Sequence, residues 1–304
     1  MQTRRHLLTR ISATAALSGL FGALGVGYAT AVEPSSIRLT RRTVAPAGWP
    51  AGRSLRIAVV SDPHANVHNI DARDLRGVVD TVNGLSPDLT VLLGDYCSQD
   101  SGALTPEEVT GILSGLRAPY GVHAILGNHD WTDARAALKR GHGPTRTELA
   151  LRAAGLPLLE NRAVPLGGGE VWLAGIESEA TPWQRMTDAV RTGVVREALR
   201  DVPPDAAVIL LAHEPDVFAL DIDPRVRLVL SGHTHGGQVR VLGWSPWIPS
   251  RYGNRYAYGH VRERGRDLVV SGGLGSHFVL GRPVRVGVPP EIVLVDVPAP
   301  VASA

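Results

Sequence analysis

The stretch Gly232-His233-Thr234-His235-Gly236-Gly237-Gln238 directly follows a short apolar run, Val226-Arg227-Leu228-Val229-Leu230, which predicts a buried strand. Side chains two residues apart in an extended backbone point the same way, so His233 and His235 are expected to face one side. The glycines leave space and backbone freedom for a group bound close by. Two neutral imidazoles held in parallel are good ligands for first-row transition metals, so the stretch indicates a metal site. A pair of hydrogen-bonded structural histidines is the alternative.

Four more polar clusters stand at the end of a predicted strand. The strands are expected at residues 55–60, 89–93, 122–126 and 207–212, and the clusters that follow them are Asp62 with His64, Asp95, Asn128 with His129, and His213. Ligands bind at the carboxyl ends of the strands in open α/β sheets, so all five clusters are expected to converge on one crevice. Taken singly, each could be a helix cap or a satisfied core histidine. Five in the same register favour a shared site.

Helical segments separate these strands, at about residues 70–85, 105–116, 149–154 and 188–199. Thr105-Pro106-Glu107-Glu108 has the spacing of a capping box with proline at the first helical position, and Thr145-Arg146-Thr147-Glu148 repeats the capping signature. Further strands are expected at residues 170–175, 267–271 and 291–297. Near-continuous apolar strands alternating with helices predict an α/β fold whose sheets are covered on both faces.

The N-terminus has the features of an export signal. Thr3-Arg4-Arg5-His6-Leu7-Leu8 carries a twin arginine, residues 11–32 are uncharged, and Ala29-Thr30-Ala31 fits a cleavage site. We expect residues 1–31 to direct export by the twin-arginine machinery, to the periplasm or the outer face of the cytoplasmic membrane. The alternative is a retained anchor, since about 20 apolar residues can span a bilayer.

The rest of the chain divides into a proline-containing linker at residues 32–53 with one possible edge strand, a domain at residues 54–298 and a tail at residues 299–304. With 304 residues and 44% hydrophobic content, the chain can bury a sizeable core. Beyond residue 31 it has 28 basic and 29 acidic residues, a near-neutral balance that excludes nucleic-acid binding through bulk charge. The single cysteine, Cys97, cannot form an intrachain disulfide and is expected to be a small core residue.

The five clusters together resemble a known family. Asp-x-His, Gly-Asp, Gly-Asn-His-Asp, a lone histidine and Gly-His-x-His, in that order, are similar to the motifs of the calcineurin-like metallophosphoesterases, from Leu55 to the end of the chain. Ser61-Asp62-Pro63-His64-Ala65, His213-Glu214-Pro215-Asp216 and Pro249-Ser250-Arg251-Tyr252-Gly253 resemble the exported or membrane-associated phosphodiesterase branch. The resemblance implies a four-layer α/β/β/α sandwich of two mixed sheets.

The resemblance also implies a centre with two divalent metal ions. One would be held by Asp62, His64, Asp95 and His235, and the other by Asp95, Asn128, His213 and His233. Oxygen and nitrogen ligands without thiolate suit Mn²⁺ best, with Fe or Zn²⁺ as alternatives. Two metals sharing the Asp95 carboxylate would lower the pKa of a water for attack on phosphorus and neutralise the phosphoryl oxygens.

His129 resembles the histidine that protonates the leaving oxygen in this family; a structural role beside the ligands is the alternative. Protein phosphatases of the superfamily carry an aspartate three residues after the Gly-Asp motif, where it orients that histidine. Ser98 stands at this place, which disfavours a protein phosphatase and leaves open what orients His129.

Residues 244–260 are rich in aromatic residues, glycine and proline, which predicts a loop. Arg251, Tyr252 and Arg255 could contact the substrate there; a loop packed on its own aromatic rings is equally open. The function that we predict is a phosphodiesterase acting on envelope lipid or cell-wall phosphate esters, with a lipid-linked substrate and membrane contact possible. The alternatives are a broad phosphomonoesterase or nucleotidase, and a metal-dependent binding protein.

Overall fold

The computed structural model describes residues 25–132, 134–140, 143–179 and 187–300. The twin arginine, most of the uncharged N-terminal stretch and the last four residues therefore lie outside the described parts. Where the structure does describe the chain, no helix combines the length and the apolar character that a membrane span requires.

The first sheet has five strands in the order β1-β13-β2-β3-β4. Their bounds are β1 Arg38–Thr43, β2 Leu55–Val60, β3 Leu89–Leu92, β4 Val122–Ala124 and β13 Glu291–Val297. β2, β3 and β4 run parallel, β13 is antiparallel to β2, and β1 pairs parallel with β13. β1 is the edge strand expected between residues 32 and 53.

Helices cover the outer face of this sheet. They are α1 Ala72–Gly84, α2 Pro106–Leu113, α3 Asn128–Thr132, α4 Arg135–Arg140 and α5 Arg146–Ala153. The capping box of α2 is confirmed: the Thr105 hydroxyl accepts from the Glu108 amide at 3.3 Å, and the Glu108 carboxylate accepts from the Thr105 amide at 2.8 Å. Thr145 likewise caps α5.

The second sheet has six strands in the order β5-β6-β7-β8-β10-β9. Their bounds are β5 Arg162–Leu166, β6 Val171–Gly175, β7 Ala207–Leu211, β8 Val226–Ser231, β9 Gly259–Glu263 and β10 Arg266–Val270. The four central strands are parallel, and the edge strands β5 and β9 are antiparallel to their neighbours. Helix α6, Asp188–Ala198, covers the outer face, and β11 Phe278–Val279 with β12 Arg282–Pro283 forms a separate hairpin.

The main core lies between the two sheets. Val59 and Val91 of the first sheet and Leu211 and Leu230 of the second belong to one buried cluster that joins them. Separate clusters lie between each sheet and its helices, which makes four layers and confirms the predicted sandwich. The carboxyl ends of the parallel strands in both sheets meet at one edge of this sandwich.

Candidate metal centre

The fold holds the motif residues in an unusual backbone conformation. Five of them have positive φ angles: Asp62 49°, His64 40°, Asp95 54°, His233 68° and His235 48°. Such angles are uncommon for residues other than glycine and cost of order 1–3 kcal/mol each, so the surrounding structure must impose them. Short hydrogen-bonded links between adjacent strand ends do so, for example from the His64 amide to the Asp95 carbonyl at 3.0 Å and from the Gly232 amide to the His213 carbonyl at 3.1 Å.

One group of motif side chains consists of Asp62, His64 and His235, whose nearest donor atoms all lie within 4.8 Å of one another. The three are buried, and His235 Nε2 lies 3.5 Å from Asp62 Oδ1. Nε2 of His64 and Nε2 of His235 are buried without a hydrogen-bond partner among the described residues. Buried nitrogens of this kind normally have a partner, so both atoms suit coordination to a cation.

The second group consists of Asp95, His213 and His233, again with donor atoms within 4.8 Å. The Asn128 side-chain oxygen joins it, at 3.1 Å from His213 Nε2 and 2.7 Å from His233 Nδ1. The other ring nitrogen of His213 lies 2.6 Å from the Leu93 carbonyl oxygen, which fixes the ring orientation as hydrogen bonds to the non-ligating nitrogen do in metal-binding histidines.

Asp95 lies between the two groups. Its Oδ2 is 3.4 Å from His64 Nε2 and 3.2 Å from His213 Nε2, while its Oδ1 accepts from the His129 amide at 2.8 Å. Burial alone would raise the pKa of the Asp95 carboxyl, but the charge of His213 and the close imidazole nitrogens of His213 and His64 hold this pKa well below its usual range. One oxygen facing both groups is the geometry that a bridging carboxylate needs.

The charge of Asp95 also acts on the histidines. Burial opposes protonation of His213 and His64, yet the Asp95 carboxylate raises the pKa of both rings. A histidine must be neutral to bind a metal, so divalent cations would displace these protons on binding. The donor chemistry and the orphaned nitrogens therefore fit a centre for two divalent cations, although the assignment of each ligand stays a prediction.

Two glycines are required by close approach to these side chains. A Cβ at Gly127 would overlap the Asp95 carboxylate and the His213 ring. A Cβ at Gly232 would overlap the Ser61 hydroxyl and the Asp62 carboxylate. Glycine therefore precedes Asn128 and His233 because no side chain fits there.

Comparison with known proteins decides the family. Residues 55–237, more than half of the chain, match the family model described as calcineurin-like phosphoesterase. The chain belongs to the calcineurin-like phosphoesterases. Members of this family are metal-dependent hydrolases of phosphoric esters, and this chain is one of them.

Three relatives span most of the chain. It is 30% identical to the metallophosphoesterase YkuE of Bacillus subtilis, over 91% of this chain and 94% of that protein. It is 28% identical to the phosphodiesterase YaeI of Escherichia coli, over 97% and 99% of the two chains. It is 27% identical to the UDP-2,3-diacylglucosamine pyrophosphatase LpxG of Chlamydia trachomatis, over 79% and 81%.

Asp130, the last residue of the family's Gly-Asn-His-Asp motif, supports the loops that carry the candidate ligands. Its buried carboxylate accepts from three backbone amides, those of Gly127 at 2.8 Å, Asp95 at 2.8 Å and Tyr96 at 3.2 Å. Burial and the nearby charge of Asp95 raise the pKa of Asp130 to about 7. Asp130 thus ties the end of β3 to the start of α3, and none of these three hydrogen bonds involves the His129 ring.

His129 is half-buried, and its ring stands edge-on to the His64 ring with the centroids 4.9 Å apart. Its Nδ1 has no hydrogen-bond partner within the described ranges. The Ser98 hydroxyl is bonded to Asp100 instead, at 3.2 Å. The ring therefore packs on His64 and the His129 amide donates to Asp95, while the described residues give Nδ1 no hydrogen bond that would orient the ring. Burial lowers the pKa of the His129 ring.

Two residues near the centre were not predicted. The His277 ring lies 4.9 Å from the His235 ring and 5.5 Å from the His64 ring, and burial followed by the charge of His64 lowers its pKa to about 4. Arg285 is fully buried, and its guanidinium lies 3.2 Å from His235 Nδ1. It also donates to the carbonyls of Gly272 at 2.8 Å and Val288 at 2.9 Å.

Arg285 thereby secures the segment after β10 that covers the first group of candidate ligands. Leu274 donates its amide to the Ser61 carbonyl at 3.0 Å, and Gly275 donates to the Asp62 carbonyl at 2.8 Å. His277 comes at the end of this segment. Neither residue belongs to a motif that follows a strand directly, which is the signal that located the other site residues.

The three predicted substrate residues lie in the aromatic loop. Arg255 forms a two-point ion pair with Glu263, at 3.0 and 2.6 Å. Arg251 pairs with Asp188 at 2.6 Å, and its amide donates to the buried Asp216 at 2.9 Å. Tyr252 packs its ring against Tyr256 with centroids 5.4 Å apart. None of these contacts involves a candidate ligand, so the role of the three residues in substrate binding stays a prediction.

Proposed function

We propose that this metallophosphoesterase is a phosphodiesterase that acts on lipid-linked or cell-wall phosphate esters of the cell envelope. The observation that carries the proposal is that Arg285 and Arg146, which come near the candidate ligands, are both held in other contacts. A phosphomonoester is largely a dianion near neutral pH, because its second pKa is about 6, whereas a diester carries one negative charge. A site in which the metals supply most of the positive charge suits the diester, because the diester carries less negative charge than the monoester.

Two described arginines come near the motif side chains, and both are engaged. Arg285 donates to backbone carbonyls behind His235. Arg146 and His129 line the same cavity of about 290 Å³, but Arg146 forms a two-point ion pair with Glu107, at 2.9 and 2.8 Å. The names of two relatives, a phosphodiesterase and a pyrophosphatase of a diacylated sugar nucleotide, support the same class of substrate.

The chain's own residues supply the remaining chemistry. Two divalent metals bound by the two groups would activate a water and neutralise charge on the phosphoryl oxygens. Asp95 would fix the spacing of the two groups, because a single oxygen faces both. His129 lines the cavity of about 290 Å³, which has room for a departing alcohol, and its ring would give a proton to the leaving oxygen.

The substrate class can be tested with two nitrophenyl esters. With Mn²⁺ bound, we expect hydrolysis of bis-p-nitrophenyl phosphate to exceed that of p-nitrophenyl phosphate by about tenfold or more, which corresponds to about 1.4 kcal/mol of barrier. The ratio of kcat/KM values is the measurement, and the Asp95→Asn enzyme controls for contaminating phosphatase. Faster turnover of the monoester would favour a phosphomonoesterase or nucleotidase. Binding of two metals without hydrolysis of either ester would favour a binding protein.

We further propose that the chain is exported through the twin-arginine route, on the sequence features of residues 1–31. A fusion of residues 1–35 to a folded reporter is expected to cross the membrane, and Arg4→Lys with Arg5→Lys is expected to stop it. Arg10→Lys is the matched control, because it changes an arginine outside the pair. Normal export of the double variant would contradict the twin-arginine route and favour a general secretory signal or an anchor.

A further inference from the structure

Two apolar tips project from the rim of the metal centre. We call residues 239–247 the rim loop and residues 278–283 the rim hairpin. Leu242 in the rim loop and Leu280 in the rim hairpin are fully exposed, and Trp244 and Trp247 are 60% and 62% exposed. Single exposed apolar residues are ordinary, but apolar side chains concentrated on projecting tips mark an interaction surface.

Both segments start at the centre itself. The rim loop begins directly after Gln238, and the rim hairpin begins directly after His277. The His277 amide donates to the Gln238 side chain at 3.2 Å, and the amide of Val286, just past the hairpin, donates to the Gln238 carbonyl at 2.8 Å. Three residues of chain reach at most about 11 Å, so the Leu280 Cα lies no further than that from the His277 Cα. A surface that contacted both tips would therefore contact the rim of the centre.

The charged residues of the rim loop and the rim hairpin are all positive. No acidic residue occurs from residue 224 to residue 262 or from residue 268 to residue 290. Arg240 in the rim loop and Arg282 in the rim hairpin have no carboxylate partner among the ion pairs of the described residues. Arg282 is exposed, whereas the half-exposed Arg240 lies over the Tyr258 ring, 5.9 Å from its centroid, with one guanidinium nitrogen buried. Exposed leucine and tryptophan beside arginine that no carboxylate neutralises are suited to the interface of an anionic bilayer, where tryptophan lies at headgroup depth and arginine is attracted to the surface.

The N-terminal segment reaches the same region. The short helix Tyr28–Val32 lies beside β12, and the Arg285 amide donates to the Ala29 carbonyl at 2.9 Å. Its exposed Tyr28 and Val32 side chains add to the apolar surface. The uncharged residues 11–24 precede this helix in the sequence.

We propose that the rim loop and the rim hairpin dock the metal centre onto an anionic lipid bilayer. The bilayer would take up the leucine and tryptophan side chains, and Arg240 and Arg282 would contact its phosphates. The centre would then face the headgroup layer, where a lipid phosphate ester is presented without leaving the membrane. Only the identity of the ester rests on the proposed function; docking is measured without turnover.

The test uses the full chain and vesicles of phosphatidylcholine with about 30% phosphatidylglycerol, an arbitrary anionic fraction chosen to exceed the surface charge that attracts basic segments. Acyl chains brominated near the headgroup quench only tryptophans that enter the bilayer. We expect the tryptophan fluorescence of the full chain to be quenched. The quenching should be lost in the double variant Trp244→Phe with Trp247→Phe and retained in Trp172→Phe. Leu242→Ser with Leu280→Ser is expected to lose the quenching too. Each leucine side chain that no longer enters the bilayer weakens membrane partitioning by about tenfold or more.

The matched control is Leu39→Ser with Leu149→Ser, which removes two exposed leucines away from the rim and is expected to keep the quenching. Sedimentation of the chain with vesicles without quenching would overturn the proposal, because the N-terminal segment would then hold the chain alone. Equal quenching by uncharged vesicles would overturn the part assigned to Arg240 and Arg282. Self-association that depends on Leu242 and Leu280 without vesicles would make a second copy of the chain the occupant instead.

Discussion

Asp95→Asn is expected to abolish turnover and to weaken both metal sites together. The native enzyme should bind about two divalent metals per chain, because this carboxylate lies between two groups of candidate ligands. A neutral amide bridges two cations poorly, and its NH₂ group would face the two imidazole nitrogens that Asp95 Oδ2 now faces. Changing a residue that only holds a metal ligand in place lowers metal affinity by about 10–100-fold. We therefore expect Asp95→Asn to lower the affinity for both metals by more than about 10²-fold.

The measurements are metal content after equilibrium dialysis against Mn²⁺ and kcat/KM for bis-p-nitrophenyl phosphate. Asp100→Asn is the matched control, since Asp100 is an exposed aspartate bonded to Ser98 outside the two groups. His235→Ala should weaken mainly the site of Asp62 and His64. The bridging role would be contradicted if both variants lost the two metals equally, or if one tightly bound metal gave full activity.

His129→Ala is expected to slow the hydrolysis of esters with poor leaving groups far more than the hydrolysis of esters with good leaving groups. If the ring protonates the leaving oxygen, an alkyl ester should lose about 10²–10⁴ in rate, the usual contribution of general acid catalysis. A nitrophenolate departs without much help, so the nitrophenyl ester should lose far less. Both metals should remain bound if the His129 ring is not itself a ligand, because alanine keeps the backbone amide that donates to Asp95. A ring nitrogen of His129 lies within 4.8 Å of donor atoms of His64 and Asp95, so metal content decides between the two roles. The measurement is kcat for paired alkyl and nitrophenyl diesters.

The pH dependence of the native enzyme gives a second criterion. A general acid works only while protonated, and burial lowers the pKa of the His129 ring. The rate of hydrolysis of the alkyl ester should therefore decline as pH rises through a pKa below 6.5. The rate for the nitrophenyl ester should not show this decline. His68→Ala, at an exposed histidine, is the control. Equal losses for both esters with metals intact would indicate charge stabilisation by His129, and loss of a metal would indicate structural support.

The layers of the fold could be predicted because they depend on local patterns. β7 is apolar at every residue, and the Thr105–Glu108 spacing fixed the start of α2. β5 was not predicted, because it is a partly exposed edge strand that contains Pro165 and shows little alternation. Its existence depends on pairing with β6, which no local signal reports.

The same distinction holds at the centre. The motif residues could be predicted because each stands just past a strand, where the topology itself brings them together. His277 lies seven residues past β10, and the path of that segment is set by a buried arginine from a later part of the chain. The packing that orients His129 is likewise tertiary, since His64 comes from another strand end. The sequence therefore located the candidate ligands but missed their supports.

The left-handed backbone at the five motif positions has a consequence for how the protein can evolve. Glycine adopts these angles without the steric penalty that aspartate and histidine bear, so each glycine substitution there would relieve strain while removing a donor atom. Thermal tolerance and catalysis thus impose opposite preferences on the same residues. A lineage that lost its need for the reaction could drift towards glycine at these positions and become more robust. Retention of all five side chains means that the large core between the sheets must offset the strain.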